Sequence, residues 1–314
     1  LLISPTASGK SLMIYSICRY HAENGRKILL IVPTTSLVEQ MYKDFEDYGW
    51  DAEKYCYKIY GGAPRNTEQS VIISTWQSIY KLDRKWFANF EVVIGDEAHQ
   101  FKSKSLVNIM TKMADTKYRY GFTGTLDGTQ THKWVLEGLF GPSYKIISTK
   151  KLQDAGYLAK LNIKVLLMKH EPQKFDMYED EVQYIINNEK RNKFIKNLAH
   201  DLKGNTLILY SRVATHGQVL FDLINTDNRK VFFVHGGVDA QEREEVRSIT
   251  ETEKDAIIVA SFGTFSTGIN IKNLHNIIFA SPSKSRIRTL QSIGRVLRKG
   301  NNKISATLFD IADD

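Results

Sequence analysis

Short aliphatic runs recur along the chain with a spacing that predicts an alternation of buried strands and helices. The runs predicted as strands cover residues 28–32, 71–74, 92–94, 207–210, 256–260 and 276–280. Amphipathic stretches typical of helices lie between several of them. Continuous apolar strands that alternate with helices indicate parallel sheets covered on both faces, so the pattern predicts an α/β fold.

The alternation is interrupted between about residues 141 and 180, where FGPSY, HEPQ and an acidic cluster occur. A chain of 314 residues exceeds what one hydrophobic core serves well. We therefore predict two domains, residues 1–150 and 151–314, each with its own parallel sheet. One long helix, from about residue 181 to 203, is predicted to lead into the first strand of the second domain.

Composition narrows the class of protein. Hydrophobic residues make up 42% of the chain and charged residues 25%, as in globular proteins. The longest aliphatic runs fall far short of the roughly 20 residues of a membrane span, so no membrane partner and a cytoplasmic location are expected. Cys18 and Cys56 argue against a disulfide framework. The net charge of +8 suggests an anionic partner.

The first eleven residues, LLISPTASGKS, predict a strand, a loop of small residues and the start of a helix. Such a loop aims backbone NH groups at an anion; its members are Pro5, Thr6, Ala7, Ser8 and Gly9. Lys10 could then reach β and γ phosphates, and the Ser11 hydroxyl could bind Mg²⁺. The phosphate-loop pattern G-x-x-x-x-G-K-[ST] is incomplete, because Ser4 stands at its first glycine. An ordinary strand-to-helix turn is the alternative.

The stretch FEVVIGDEAHQ places Asp96, Glu97 and His99 directly after a predicted buried strand. Ligands bind at this edge of an open parallel sheet. Asp96 could hold Mg²⁺, and Glu97 could orient and deprotonate a water that attacks a γ phosphate. Acids at a helix N-terminus are common, which is the competing interpretation.

A basic segment lies near the end of the chain, with seven Lys or Arg and no acid between residues 284 and 303. If QSIGRVLRKG is helical, Gln291, Arg295 and Arg298 share one face. That face could be a solvated surface, a seat for nucleic-acid phosphates, or a clamp on a phosphate bound elsewhere in the molecule.

Seven short stretches occur in the order of the motifs of one enzyme superfamily. They are PTASGKS, VPTTSLVEQ, DEAH, TGT, LILYSR, VASFGTFSTGIN and QSIGRVLRKG, and together they span nearly the whole chain. In this order the set resembles the superfamily 2 helicases, and the DEAH box with STGIN and QSIGRVLR is similar to bacteriophage recombination helicases. The resemblance implies two RecA-like domains, ATP in the cleft between them, and nucleic acid across both.

The resemblance also implies roles for individual residues. Lys10 and Ser11 match the phosphate and Mg²⁺ ligands, and Asp96 and Glu97 match the metal-binding and water-activating acids. His99 matches a residue that links the ATP site to the second domain, and Thr123 and Thr125 match the short motif that couples hydrolysis to unwinding. Gly268 and Asn270 lie in a motif that approaches the nucleotide, although many relatives have Asp where Asn270 stands. Arg295 and Arg298 match γ-phosphate sensors, with Gln291 in the same motif.

Nucleic-acid contacts are implied at the loops of the other motifs. The candidate residues are Pro33, Thr34, Thr35, Gly62, Thr75, Gln77, Arg212, His235, Gly236 and Thr267. Hydroxyls, glycine NH groups and an occasional Arg suit phosphate-backbone contacts that carry no sequence information. Taken singly, each is as well explained as a turn or capping residue. Trp76, Trp86, Trp134 and Phe265 are candidates for base stacking, although most aromatics in such folds lie in the core.

These patterns predict a monomeric, Mg²⁺- and ATP-dependent DNA helicase or translocase. The expected substrates are single-stranded and branched DNA, including recombination and fork intermediates, with the RNA–DNA hybrids of R-loops as a further candidate. For such an enzyme we expect a nucleoid location in the host cell and an additional DNA-binding domain on the N-terminal side. The alternatives are a duplex DNA translocase of a restriction system and a nucleotide-gated nucleic-acid clamp that barely hydrolyses ATP.

Overall fold

The computed structural model describes residues 1–126, 128–225, 229–268, 271–283, 285–299 and 303–314. Contacts divide the chain into two compact units, Leu1–Lys151 and Leu152–Asp314. Within the described ranges, no helix is both long enough and apolar enough to cross a bilayer.

Unit 1 (Leu1–Lys151) is built on a seven-stranded sheet in the order β3-β4-β2-β5-β6-β1-β7. Its strands are β1 Leu2–Ile3, β2 Ile28–Val32, β3 Cys56–Ile59, β4 Val71–Thr75, β5 Val92–Gly95, β6 Tyr118–Thr123 and β7 Tyr144–Lys145. The helices are α1 Lys10–Glu23, α2 Thr35–Asp47, α3 Ala52–Tyr55, α4 Trp76–Ile79, α5 Arg84–Phe87, the 3₁₀ helix Ala98–Lys102, α6 Lys104–Lys112, α7 Gln130–Phe140 and α8 Thr149–Asp154, which crosses the unit boundary. All neighbouring strands pair in parallel, so their carboxyl ends lie at one edge.

Both faces of this sheet are buried, as continuous aliphatic strands require. In β2, Ile28, Leu30 and Val32 pack into one core with α1 and α2. Leu29 and Ile31 point the other way, into a core with α6 and α7. Because successive side chains point to opposite faces of the sheet, β2 contributes to both cores.

Unit 2 (Leu152–Asp314) has a six-stranded parallel sheet in the order β10-β11-β9-β12-β13-β8. Its strands are β8 Lys160–Met168, β9 Thr206–Tyr210, β10 Val231–Val234, β11 Ile257–Ser261, β12 Asn276–Phe279 and β13 Ser305–Asp313. Its helices are α9 Tyr178–Asn187, α10 Glu189–Asp201, the π-helical turn Val213–Gly217, α11 Gln218–Ile224, α12 Ala240–Thr252, α13 Phe262–Gly268 and α14 Arg286–Val296. Two cores flank the sheet.

The prediction of two parallel α/β sheets is confirmed, and each of the six predicted strands is present to within one residue at either end. The single helix predicted from about residue 181 to 203 is wrong. The helix ends at Asn187 and a second begins at Glu189, because Asn188 has an extended backbone (φ −70°, ψ 110°). The Asn188 side chain accepts a hydrogen bond from the Arg191 NH at 3.1 Å and so caps α10.

The irregular segment of about residues 141–180 contains a nine-residue strand of unit 2 that the sequence pattern did not predict. β8 forms the edge of the second sheet and pairs with β13 over nine residues. Ile163, Val165 and Leu167 are 59%, 63% and 60% exposed. An edge strand with an uncovered face does not need the uniformly apolar run by which the central strands were recognised.

A fully buried arginine lies between α10 and the end of β13. Arg191 has no exposed surface and forms a bidentate ion pair with Asp313, with Nε–Oδ1 at 2.8 Å and Nη2–Oδ2 at 2.9 Å. Its Nη1 donates to the Ala280 carbonyl at 2.6 Å, and His170 contacts the same carboxylate at 2.8 Å. Removing the guanidinium would leave a buried carboxylate without its main cation.

We expect Arg191→Met to lower the free energy of unfolding of unit 2 by about 3 kcal/mol, the cost of a broken buried ion pair. All four tryptophans lie in unit 1, so their fluorescence follows that unit during urea unfolding. For Arg191→Met, circular dichroism should show the unfolding of unit 2 at a lower urea concentration, and the tryptophan fluorescence should not show this transition. Arg247→Met, which removes an exposed pair with Glu244, should change stability by less than about 0.5 kcal/mol. Equal losses in both variants would contradict the assignment.

Candidate active site

Three adjacent strands of unit 1 end in polar residues at the same sheet edge. β1 leads into the loop of residues 4–9, β5 into Asp96 and Glu97, and β6 ends at Thr123. The strand order β5-β6-β1 makes them neighbours. The sheet therefore gathers residues that lie more than 80 positions apart in the sequence.

The loop of residues 4–9 has the backbone geometry of an anion cradle. Ala7 (φ 64°) and Gly9 (φ 83°) have positive φ, and Gly9 precedes the first residue of α1. Such alternating backbone makes a concave surface of NH groups at a helix N-terminus. Buried Ser4 closes the loop, because its hydroxyl lies 2.6 Å from that of Ser8, which donates to the Pro5 carbonyl at 2.6 Å.

Ser4 was not among the predicted site residues, although the incomplete loop pattern pointed to its position. The backbone of Ser4 and Thr6 faces the motif TGT: a Cβ atom on Gly124 would lie 3.7 Å from the Thr6 NH nitrogen and 3.6 Å from the Ser4 carbonyl oxygen. Any larger residue at position 124 would lie against the loop backbone. The glycine of TGT therefore lies directly beside the cradle.

Lys10 begins α1 and reaches across to both acids of the DEAH segment. Its Nζ lies 3.0 Å from Glu97 Oε1 and 3.4 Å from Asp96 Oδ1. Asp96 is anchored by its backbone NH, which donates to the Ile31 carbonyl at 2.9 Å, and its Oδ1 accepts from the Glu97 NH at 2.9 Å. One ammonium thus balances two adjacent carboxylates.

Burial and the neighbouring charges have opposite effects on the pKa values of this cluster. Burial would lower the pKa of Lys10, but the Asp96 and Glu97 carboxylates outweigh it and hold the pKa above its ordinary value. Burial raises the pKa of Asp96, against the attraction of Lys10. For Glu97, burial is outweighed by Lys10 and His99, which hold the pKa well below its usual range. The charge of the Glu97 carboxylate is therefore stabilised by Lys10 and His99 beside it.

Glu97 lies in the left-handed region (φ 48°, ψ 49°), which is rare for a residue with a side chain. Such a conformation costs about 1–3 kcal/mol and persists when the surroundings fix it. The His99 Nδ1 is 3.3 Å from Glu97 Oε2 and 3.2 Å from Thr123 Oγ1. The Thr123 hydroxyl in turn donates to the Thr125 carbonyl at 3.0 Å. A chain of hydrogen bonds thus joins the DEAH segment to TGT.

The residues present fit a magnesium ion that is completed by phosphates and water. Mg²⁺ prefers oxygen ligands and usually takes only one or two carboxylates from a protein. Asp96 offers a buried carboxylate, and Ser11 offers a hydroxyl whose Oγ lies 2.9 Å from the Tyr48 hydroxyl. No group of three or more His, Cys, Asp or Glu side chains that could hold a metal ion occurs among the described residues.

The candidate nucleic-acid residues of unit 1 lie at the same edge, on the neighbouring strands. Pro33, Thr34 and Thr35 follow β2, and Gly62 follows β3 with φ 89°. Thr75 ends β4, and Gln77 lies in α4 directly after it. Thr34 caps α2 by accepting from the Leu37 NH at 3.3 Å. Thr75 is buried with its hydroxyl 2.9 Å from that of Ser78, whereas Gln77 is exposed. Local structural roles thus account for Thr34 and Thr75.

The corresponding residues of unit 2 follow β9, β10 and β11, which are adjacent in that sheet. Arg212 follows β9 and pairs with Glu179, while His235 and Gly236 follow β10. Thr267 and Gly268 are the last residues of α13. Asn270 lies outside the described residues.

The basic segment QSIGRVLRKG is helical only in part. α14 carries Gln291 and Arg295, four residues apart and therefore on one face, and ends at Val296. Arg298 lies beyond it, in an antiparallel bridge to Leu158, so the expectation that all three side chains share a helical face is wrong. Buried Lys303 donates to the Val296 carbonyl and compensates the helix end; burial lowers its pKa to about 8.

Burial decides between stacking and packing for most of the candidate aromatics. Phe265 is completely buried in the core of unit 2, so base stacking is excluded for it. Trp76 and Trp86 pack against a core of unit 1, and the Trp86 Nε1 donates to the Arg65 carbonyl at 2.8 Å. Trp134 is 65% exposed and remains a candidate.

Two family models match separate parts of the chain. Residues 1–128 match the family described as "Type III restriction enzyme, res subunit". Residues 189–300 match "Helicase conserved C-terminal domain". The first match contains the loop of residues 4–9, the DEAH segment and TGT, and the second contains Gln291, Arg295 and Arg298.

Similar proteins extend over the whole chain. The chain is 37% identical over 327 residues to the ATP-dependent DNA helicase uvsW of Enterobacteria phage T4, covering 100% of this chain and 65% of the relative's length. A DNA-bound Type ISP restriction-modification enzyme, LlaBIII, shares the fold at TM-score 0.71 and 16% identity, over 98% of this chain and 26% of that one. S. cerevisiae Dbp5 bound to RNA and ADP BeF3 matches at TM-score 0.68 and 13% identity, over 100% and 79%.

Proposed function

The chain belongs to superfamily 2 of the helicases, and on that premise we propose that it is an ATP-dependent DNA helicase or translocase. The observation that supports ATP hydrolysis most directly is the cluster of Lys10, Asp96 and Glu97 beside a loop with positive φ at Ala7 and Gly9. A cluster of this kind can exchange one set of ionic partners for another. A clamp that only bound nucleotide would not need Glu97.

In this proposal the residues of unit 1 exchange partners when ATP binds. The loop NH groups receive phosphate oxygens, and Lys10 moves from Glu97 and Asp96 to the β and γ phosphates. Ser11 and Asp96 would hold Mg²⁺, which neutralises charge that develops on the phosphates. Glu97, with its main cation displaced, would gain basicity next to the γ phosphate and accept a proton from the attacking water.

The proposed DNA contacts are backbone contacts. In unit 1, residues 33–35, 62, 75 and 77 end or follow three adjacent strands at their carboxyl edge, and in unit 2 residues 212, 235 and 236 follow two strands at the corresponding edge. Thr267, at the end of α13, is proposed from its motif. Hydroxyl and NH donors of this type bind phosphates without discriminating bases. DNA binding should therefore weaken steeply with salt and depend little on sequence.

Among DNA substrates we propose branched recombination and fork intermediates, with the RNA–DNA hybrid of an R-loop as a further one. The motif set DEAH, STGIN and QSIGRVLR supports this choice through its resemblance to phage recombination helicases. A second candidate is translocation on duplex DNA without strand separation, which the match of residues 1–128 to a restriction-enzyme family favours.

The test is ATP hydrolysis measured without DNA and with single-stranded, duplex or four-way-junction DNA. We expect DNA to stimulate hydrolysis, with the junction most effective. Lys10→Ala should weaken nucleotide binding by about 10- to 100-fold, the value of one charge-assisted hydrogen bond, and abolish the stimulation. Lys27→Ala is a matched control, because Lys27 bonds the Thr67 carbonyl at the opposite end of β2.

The outcomes separate the candidates. Hydrolysis that duplex DNA stimulates without release of a labelled strand would favour the translocase. DNA binding that depends on ATP but occurs without turnover would favour the clamp and contradict the proposal. Turnover that Lys10→Ala leaves unchanged would exclude the cluster in unit 1 as its origin.

A further inference from the structure

A second histidine, outside the motif stretches, holds the backbone of the DEAH segment. His132 is in the first turn of α7 and is only 4% exposed. Its Nε2 lies 2.9 Å from the His99 carbonyl oxygen. Because a carbonyl can only accept, Nε2 must carry the proton and donate it.

The hydrogen bonds that continue from His99 have a defined direction. The Thr123 hydroxyl donates to the Thr125 carbonyl, so Thr123 Oγ1 accepts from the His99 Nδ1. A proton on that nitrogen also suits the Glu97 carboxylate at 3.3 Å. The His132 ring on α7 therefore fixes the backbone of His99, and the His99 ring donates toward Glu97 and toward Thr123.

Contacts of α7 hold His132 in its position. The Thr129 hydroxyl accepts from the His132 NH at 3.4 Å and caps α7. Further along α7, Phe140 packs against Phe101 of the 3₁₀ helix at 5.0 Å between ring centroids. Two contacts thus join α7 to the segment after Glu97, one polar at its start and one apolar at its end.

This arrangement bears on Glu97 because that residue has a left-handed backbone. A strained conformation persists only where neighbouring contacts determine it. The Glu97 carbonyl accepts from the Gln100 NH at 2.9 Å, and the His99 carbonyl accepts from His132, so the turn is fixed on both sides of Ala98. Without the second bond the turn can relax and move the Glu97 carboxylate.

We propose that His132 is a positioning residue for hydrolysis: through the His99 carbonyl it holds the DEAH turn in the geometry in which Glu97 can act, and it connects that turn to α7. The inference rests on the proposed function of Glu97. It adds a residue that lies outside all seven motif stretches and that no sequence spacing indicated.

The test uses two amide side chains, glutamine and asparagine, each of which replaces one nitrogen of the His132 ring. In His132→Gln the amide nitrogen can occupy the place of Nε2, whereas in His132→Asn it occupies the place of Nδ1. We expect His132→Asn and His132→Leu to lower kcat for ATP by about five- to tenfold, the value of one buried neutral hydrogen bond, with nucleotide affinity within about twofold of the original. His132→Gln should recover most of the loss.

His21→Leu is the matched control. His21 is also buried, in the last turn of α1, and bonds the Tyr120 hydroxyl at 3.1 Å and Arg26 at 3.0 Å. It should lose thermal stability as the His132 variants do but keep its kcat. Equal kcat in His132→Gln and His132→Asn, or a loss of kcat in His21→Leu as large as in His132→Leu, would overturn the inference.

The ¹⁵N spectrum of the histidine rings gives a readout that needs no turnover. The His99 signals, assigned with His99→Asn, should shift in His132→Leu and His132→Asn and return in His132→Gln. If the original chain hydrolysed no ATP, the proposed function would fail, and this spectrum would still decide whether His132 holds His99. Unchanged His99 signals in all three variants would refute it.

Discussion

Glu97→Gln is expected to lower ATP turnover by about 10³-fold, within the range for loss of a general base. The amide keeps the shape of the side chain and can still bond a water, but it cannot take up a proton. Nucleotide binding should persist, because Lys10 is freed from its 3.0 Å contact with Glu97 rather than removed. Single-turnover hydrolysis and nucleotide affinity, measured on the same preparation, separate the two effects.

Glu39→Gln provides the comparison for the same chemical change elsewhere in unit 1. Glu39 pairs with Lys58 at 2.8 Å on the surface, and its loss should leave turnover unaltered. Loss of a general base lowers the rate by at least about 10²-fold. If Glu97→Gln kept more than about a tenth of the original turnover, another group would have to activate the water.

The central strands could be predicted because their physical signal is local. Ile28–Val32 is buried on both faces, so every position is aliphatic and the run is visible without knowledge of its neighbours. β8 could not be found in the same way, because an edge strand is partly exposed along its length and tolerates charged residues such as Lys164. The hydrophobic pattern therefore identifies the central strands of a sheet more clearly than its edge strands.

Breaks between helices depended on single side chains. From residue 181 to 203 the amphipathic pattern continues without interruption, yet Asn188 ends one helix and caps the next. Asparagine has this property because its short amide bonds the backbone locally. The pattern of apolar residues alone contains no information about that competition.

The site was predictable as a set of strand ends but not as a set of contacts. A predicted strand followed by polar residues places Asp96 at the carboxyl edge. The strand that ends at Thr123 was not predicted, and only the resemblance of TGT to a family motif indicated that residue. The bond between Ser4 and Ser8 depends on a loop conformation with positive φ at Ala7, which few non-glycine residues adopt. The bond between His132 and His99 depends on how α7 packs, for which the sequence has no marker.

Arg298 is held differently from Arg295, and this bears on what each can do. Arg295 is in the last turn of α14, whereas Arg298 follows the helix in a bridge to Leu158. The bridge is supported by the Ala159 NH, which donates to the Leu297 carbonyl at 2.9 Å, and by the Arg298 NH, which donates to the Arg295 carbonyl at 3.3 Å. A backbone fixed by its neighbours reduces the entropy lost when an arginine engages a phosphate.

We expect Arg298→Ala to lower ATP turnover by about 10³-fold with little change in nucleotide affinity, as for an arginine that acts on the γ phosphate in the transition state. Arg298→Lys should restore little, since a point charge cannot reproduce the forked donors of a guanidinium. Lys299→Ala, at an exposed neighbouring cation, should leave turnover intact. If Arg298→Ala instead weakened DNA binding and reduced its salt dependence while turnover without DNA stayed normal, the basic segment would be a seat for nucleic-acid phosphates, because each lost phosphate contact lowers the salt slope by about one unit.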